Sequence, residues 1–156
     1  MMTSLCSEVL SCMAGKTLVT AESLTGGGIG AALTAVSGSS AVYKGGIICY
    51  TNWVKENILG VPGDVLETLG AVSEPVAKAM AEGARKVLKA DVAVSVTGLA
   101  GPGGDDYGNP VGTVCMGYAD ESRSFSRTFH FEGSREAVRM QTIENALKLV
   151  LDNVEK

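Results

Sequence analysis

The chain has 156 residues, of which 46% are hydrophobic and 19% charged, with a net charge of −4. That length holds one sizeable core and is short for two ordinary domains, so residues 1–156 are expected to form a single domain, and the composition excludes a disordered or fibrous chain. No run of lysines and arginines builds a basic stripe, which argues against nucleic-acid binding by electrostatics. Cys6, Cys12, Cys49 and Cys115 are scattered, and with the single His130 they give no recognisable zinc spacing. Reduced, buried thiols in a soluble cytoplasmic protein are therefore expected, with no metal. There is neither a signal-type apolar core nor a run of about 20 apolar residues to span a membrane.

The first expected element is a helix over about 3 to 14, followed by a short buried strand over Thr17 to Thr20. Next comes Thr20-Ala21-Glu22-Ser23-Leu24-Thr25-Gly26-Gly27-Gly28, three hydroxyls and three glycines at a strand-to-helix junction. Each glycine costs a helix start roughly 1 kcal/mol relative to alanine, so the cluster implies close backbone approach, either to a ligand or to a packed helix. It completes neither a Walker loop nor a dinucleotide fingerprint. Ile29, Ala32, Leu33 and Val36 then recur at helical spacing, and Ser37-Gly38-Ser39-Ser40 ends that helix.

A strand over Gly46 to Tyr50 leads into a helix from about Trp53 to Leu59, and Pro62-Gly63 breaks the chain before a short turn near Asp64 to Thr68. Ser73 is placed to cap a longer helix with Val76, Met80, Gly83 and Val87 on one face. Valine-rich Asp91 to Thr97 reads as a strand ending in a glycine-rich loop, Gly98 to Pro110. Val111 to Ala119 and Arg123 to Phe131 read as an antiparallel hairpin in which His130 faces away from Phe129 and Phe131. A final helix runs from about Ser134 to Val154. This order predicts a three-layer α/β/α sandwich around a mixed, mostly parallel sheet with a late antiparallel hairpin. Ligands in such sheets bind at the carboxyl ends of the strands, where the glycine junction, the Tyr50 turn and the Gly98 loop fall.

Three constellations carry candidate chemistry. If Asn52 caps its helix, Lys55 lies in the first turn, where the helix dipole lowers its pKa and burial would lower it further. A neutral lysine can take a proton from a serine, and a Ser40–Lys55 pair follows if the Ser40 turn folds toward the Tyr50 end; a surface pair with Glu56 is the alternative. Arg135 and Arg139 continue the core-facing line of Ile143, Ala146 and Val150, which suits an anionic ligand, with a salt bridge to Glu132 or Glu136 as the alternative. The Gly98 to Pro110 loop offers backbone N–H groups to an oxyanion or phosphate, whereas Asp105-Asp106 alone makes a poor metal site.

The blocks Thr20 to Gly27 (TAESLTGG), Ser37 to Ser40 with Gly45-Gly46, Tyr50 to Lys55 (YTNWVK), Gly70 to Pro75 (GAVSEP), Val96 to Gly104 (VTGLAGPGG), Pro110 to Val114 (PVGTV) and Gly133 to Gln141 (GSREAVRMQ) occur in one order over nearly the whole chain. In these blocks the chain resembles the carboxy-terminal domain family of the competence/damage-inducible protein CinA, whose stand-alone members include nicotinamide mononucleotide deamidases. The resemblance implies an amidohydrolase of pyridine-nucleotide salvage that cleaves a carboxamide without a cofactor, with Ser40 as nucleophile, Lys55 as base, Tyr50 as relay and Ser23 as the fallback nucleophile. It further implies that Thr25, Gly26, Gly27, Thr97, Gly98, Ala100, Gly101, Arg135 and Arg139 contact the nucleotide substrate, and that the protein is a homo-oligomer, a dimer or larger. Position 24, often cysteine in that family, is Leu24 here, which removes a thiol nucleophile. A non-catalytic nucleotide-binding or regulatory domain is the other reading.

Overall fold

The computed structural model describes residues 2–155. Five strands form one sheet in the order β2-β1-β3-β4-β5. They are β1 (Leu18–Glu22), β2 (Tyr43–Ile48), β3 (Val92–Gly98), β4 (Thr113–Ala119) and β5 (Ser124–His130). β1 pairs in parallel with β2 and β3, whereas β3 with β4 and β4 with β5 are antiparallel, so β4 alone runs against the rest. The helices are α1 (Met2–Cys12), α2 (Gly28–Thr34), α3 (Asn52–Asn57), α4 (Gly63–Leu69), α5 (Glu74–Val87) and α6 (Arg135–Asn153). This is the expected mixed sheet with helices on both faces, and no described helix is long and apolar enough to cross a membrane.

Strand alternation divides the core into two. Leu18, Val94, Val96, Val114, Met116 and Tyr118 pack with α1, α2 and α6. Val19, Ala21, Ala93 and Ala119 pack with Leu59, Leu66, Val76 and Met80 on the α4–α5 side. That second face carries small residues because α5 lies very close: a Cβ on Gly117 would run into the Ala77 carbonyl, and Ser95 Oγ donates to that same oxygen.

Two boundaries differ from expectation for a physical reason. β2 runs from Tyr43, ahead of the glycine pair, to Ile48, because it pairs with β1 from Leu18 opposite Tyr43 to Glu22 opposite Ile48. On α5, Ala84 rather than Val87 completes the buried face; Val87 is 49% exposed at the last turn, past the edge of the packing. The hairpin closes on Asp120, whose carboxylate accepts from the N–H groups of Ser122 and Arg123, and His130 is exposed while Phe129 and Phe131 stack at 5.7 Å.

Candidate active site

Three neighbouring parallel strands end on the same side of the sheet, and their exits build the site. β1 exits into Ser23, β2 into Cys49 and Tyr50, and β3 into the Gly98 loop. The turn after β1 needs left-handed backbone at Gly26 (φ 58°) and at Gly27 (φ 101°), the residue before α2, which accounts for two of the three glycines. A cavity of about 490 Å³ opens between these exits, lined among others by Ser23, Tyr50, Lys55, Thr97, Tyr107 and Arg135.

Lys55 is the centre of this site. Its side chain is 2% exposed, and its Nζ lies 3.1 Å from Ser23 Oγ and donates to the Cys49 carbonyl at 2.8 Å. Burial pushes its pKa below the ordinary lysine value. Helix position is not the cause: Thr51, not Asn52, is the N-cap, accepting from the Val54 N–H, and Lys55 falls in the last turn of α3. No carboxylate pairs with it, since the one ion pair among the described residues is Lys148–Glu144. Burial also pushes the Cys49 thiol up to about 11, so it stays protonated at neutral pH and is not a competing nucleophile.

The structure does not bring Ser40 to Lys55. Ser40 is exposed in a short 3-10 turn, Ser39–Ala41, that enters β2, whereas Lys55 follows the exit of that strand. The length of β2, at about 3.3 Å per residue, separates them, so they lie at opposite ends of the sheet. Ser23 takes the place expected for Ser40.

The other expected residues divide similarly. Tyr50, Thr97, Gly98, Ala100, Gly101 and Arg135 line the cavity. Arg135 donates to the Gly101 carbonyl at 2.6 Å and to the Tyr50 hydroxyl at 3.4 Å, bridging the mouth with N–H groups to spare. Thr97 Oγ1 is engaged with the Ala71 carbonyl at 2.9 Å. Thr25, Gly26, Gly27 and Arg139 are not on the wall. Thr25 is buried with its hydroxyl donating to Glu22 at 2.7 Å, and Arg139 donates to the backbone carbonyls of Leu24 and Thr25. Asp105 accepts from Tyr107, Asn109 and the Asn109 amide, closing its own loop, and no group of three metal-ligating side chains forms among the described residues.

Sequence reasoning missed two contributors. Tyr107 reaches the cavity because its hydroxyl donates to the Glu67 carbonyl at 2.7 Å, a long-range contact without a local signal. Glu22 ends β1, and the turn after it carries the chain round so that its carboxylate accepts the free N–H groups of Ile29 and Gly30 in the first turn of α2, a contact without a sequence signature.

Comparison with known proteins agrees with this architecture. A sequence model of the CinA C-terminal domain matches residues 3–154. A CinA-like protein of Synechococcus sp. is 49% identical over 136 residues, covering 86% of this chain and 32% of its own length. One from Geobacter sulfurreducens is 47% identical over 133 residues, covering 85% of this chain and again 32% of its own length. The chain thus spans about a third of these curated relatives. Among solved structures, a CinA superfamily protein from Klebsiella pneumoniae superposes with a TM-score of 0.94 at 32% identity, covering 97% of this chain and 96% of that one. The competence/damage-inducible protein CihA of Agrobacterium tumefaciens gives 0.93 at 37% identity, covering 97% and 94%. The chain belongs to the CinA C-terminal domain family.

Proposed function

We propose that this domain is an amidohydrolase that converts nicotinamide mononucleotide to nicotinate mononucleotide and ammonia. The observation that carries the reading is the buried Ser23–Lys55 contact at 3.1 Å, opening on a cavity crossed by Arg135. Lys55, whose pKa burial lowers, removes in its neutral form the Ser23 hydroxyl proton as Oγ attacks the carboxamide carbon. Leu24 follows the nucleophile and lines the cavity, and its N–H, which meets no acceptor among the described residues, is the donor assigned to the developing oxyanion. The Lys55 ammonium then protonates the departing nitrogen, ammonia leaves, and Ser23 carries the nicotinyl ester. Water attacks that ester with Lys55 again taking the proton, and Ser23 recovers it as the product departs as a carboxylic acid, which then ionises to solvent.

Arg135 offers paired donors to the 5′-phosphate, and the exposed rings of Tyr50 and Tyr107 suit the cationic pyridinium. No cofactor is required by this sequence of steps. Incubating the purified protein with nicotinamide mononucleotide should release ammonia and nicotinate mononucleotide in equal amounts. Binding without ammonia release would favour the non-catalytic nucleotide-binding domain instead.

A further inference from the structure

Glu22 is 2% exposed and pairs with no cation, yet all of its acceptor capacity is filled. Oε1 accepts from Thr25 Oγ1 at 2.7 Å and the Ile29 N–H at 2.8 Å. Oε2 accepts from Thr20 Oγ1 at 3.0 Å and the Gly30 N–H at 3.1 Å. Thr20 is held in turn by the Tyr43 hydroxyl at 2.7 Å. Strand alternation turns this carboxylate to the α2 face and Ser23 to the Lys55 face, so Glu22 ties the start of α2 to β1 without touching the serine.

Arg139 secures the same turn from α6. Its Nε donates to the Leu24 carbonyl at 3.0 Å and a terminal nitrogen donates to the Thr25 carbonyl at 3.2 Å. The Ser23 N–H is fixed on the Val96 carbonyl of β3 at 3.0 Å. The turn that carries Ser23 is therefore held from β3, α2 and α6, and misplacing a reacting atom by about 1 Å can cost about 100-fold in rate.

We infer that Glu22 and Arg139 form a clamp that sets Ser23 Oγ against Lys55, as positioning residues that never touch substrate. This rests on the reading of Ser23 as nucleophile. The clamp requires a carboxylate rather than a shape: in Glu22→Gln the amide group must face either the Ile29 or the Gly30 N–H, two donors that cannot rotate away. It requires a guanidinium on the other side, because lysine at position 139 can serve the two carbonyls only with a single point charge.

Two readouts test it on the full chain: kcat and KM for nicotinamide mononucleotide, and the rate at which phenylmethylsulfonyl fluoride labels Ser23, followed by mass spectrometry. Glu22→Gln should lower kcat and the labelling rate together, by about 100-fold, with KM changed less than about threefold. Arg139→Met, on a half-buried side chain, keeps the test valid where Glu22→Gln fails to fold; it should lower both rates at least tenfold, with Arg139→Lys intermediate. Folded variants that label and turn over at the unmodified rates, or that change KM alone, overturn the clamp while leaving the nucleophile intact. Absence of both labelling and ammonia release in the unmodified protein overturns the nucleophile and the clamp with it. Labelling that is clamp-dependent, without ammonia release, supports the clamp and overturns only the substrate.

Discussion

Lys55→Met separates the chemical role of this lysine from its cost to the fold. Methionine fills a similar volume without a base, so turnover should fall by about 10²–10⁴, the usual worth of a positioned general base, or about 3–5 kcal/mol at the barrier. Stability responds to two opposing effects. The Cys49 carbonyl loses a donor at 2.8 Å, a cost of about 1–3 kcal/mol for a buried group. Against it, the fold no longer has to desolvate a lysine. Because burial depresses the folded pKa, the unfolded chain binds more protons between that value and the ordinary lysine value, and the unmodified protein gains stability with rising pH across that window. The gain has a slope of about 1.4 kcal/mol per pH unit, so Lys55→Met compares best with the unmodified protein at neutral pH and loses ground as pH rises through the window. Urea unfolding at a neutral and an alkaline pH, run beside steady-state kinetics, reads both effects. In the unmodified protein kcat/KM should climb with pH until the lysine is fully neutral, and a flat or falling profile, or turnover in Lys55→Met within tenfold of the original, would refute the reasoning.

Other consequences follow from the same geometry. Arg135→Ala removes the cation at the cavity mouth and should raise KM for nicotinamide mononucleotide at least tenfold while changing kcat/KM for the dephosphorylated nucleoside less than threefold; an equal loss for both would remove its phosphate role. Gly83→Ala drives a methyl into the Leu59 backbone carbonyl and should lower stability by about 1–3 kcal/mol, measured by the urea midpoint, and an unchanged midpoint would show that α5 can shift away from the segment between α3 and α4.

What the sequence disclosed, and what it hid, follows from the range of each signal. The valine-rich run of β3 and the two runs joined by a short polar turn at β4 and β5 are local patterns, and they place those strands within a residue or two. The glycines before α2 correctly marked a junction at the site, since φ 101° at Gly27 is a local requirement. The serine partner of Lys55 depended on which end of β2 each residue occupies. That was open to reasoning, because Ser40 precedes the strand and Lys55 follows it, but the block resemblance supplied order without distance. Arg135 and Arg139 share a helix face at one-turn spacing, yet the first meets the cavity and the second meets the Leu24 and Thr25 carbonyls, a difference set by how deep each turn of α6 lies. Glu22 was concealed for a related reason: half its partners are backbone N–H groups, which no side-chain pattern records.

The most direct measurement is ammonia release from nicotinamide mononucleotide by the unmodified protein, Ser23→Ala and Ser40→Ala, each confirmed folded by circular dichroism. The Ser23–Lys55 contact predicts release by the unmodified protein, the same rate within about twofold in Ser40→Ala, and a loss of at least about 1,000-fold in Ser23→Ala. Activity that survives in Ser23→Ala and disappears in Ser40→Ala would contradict it.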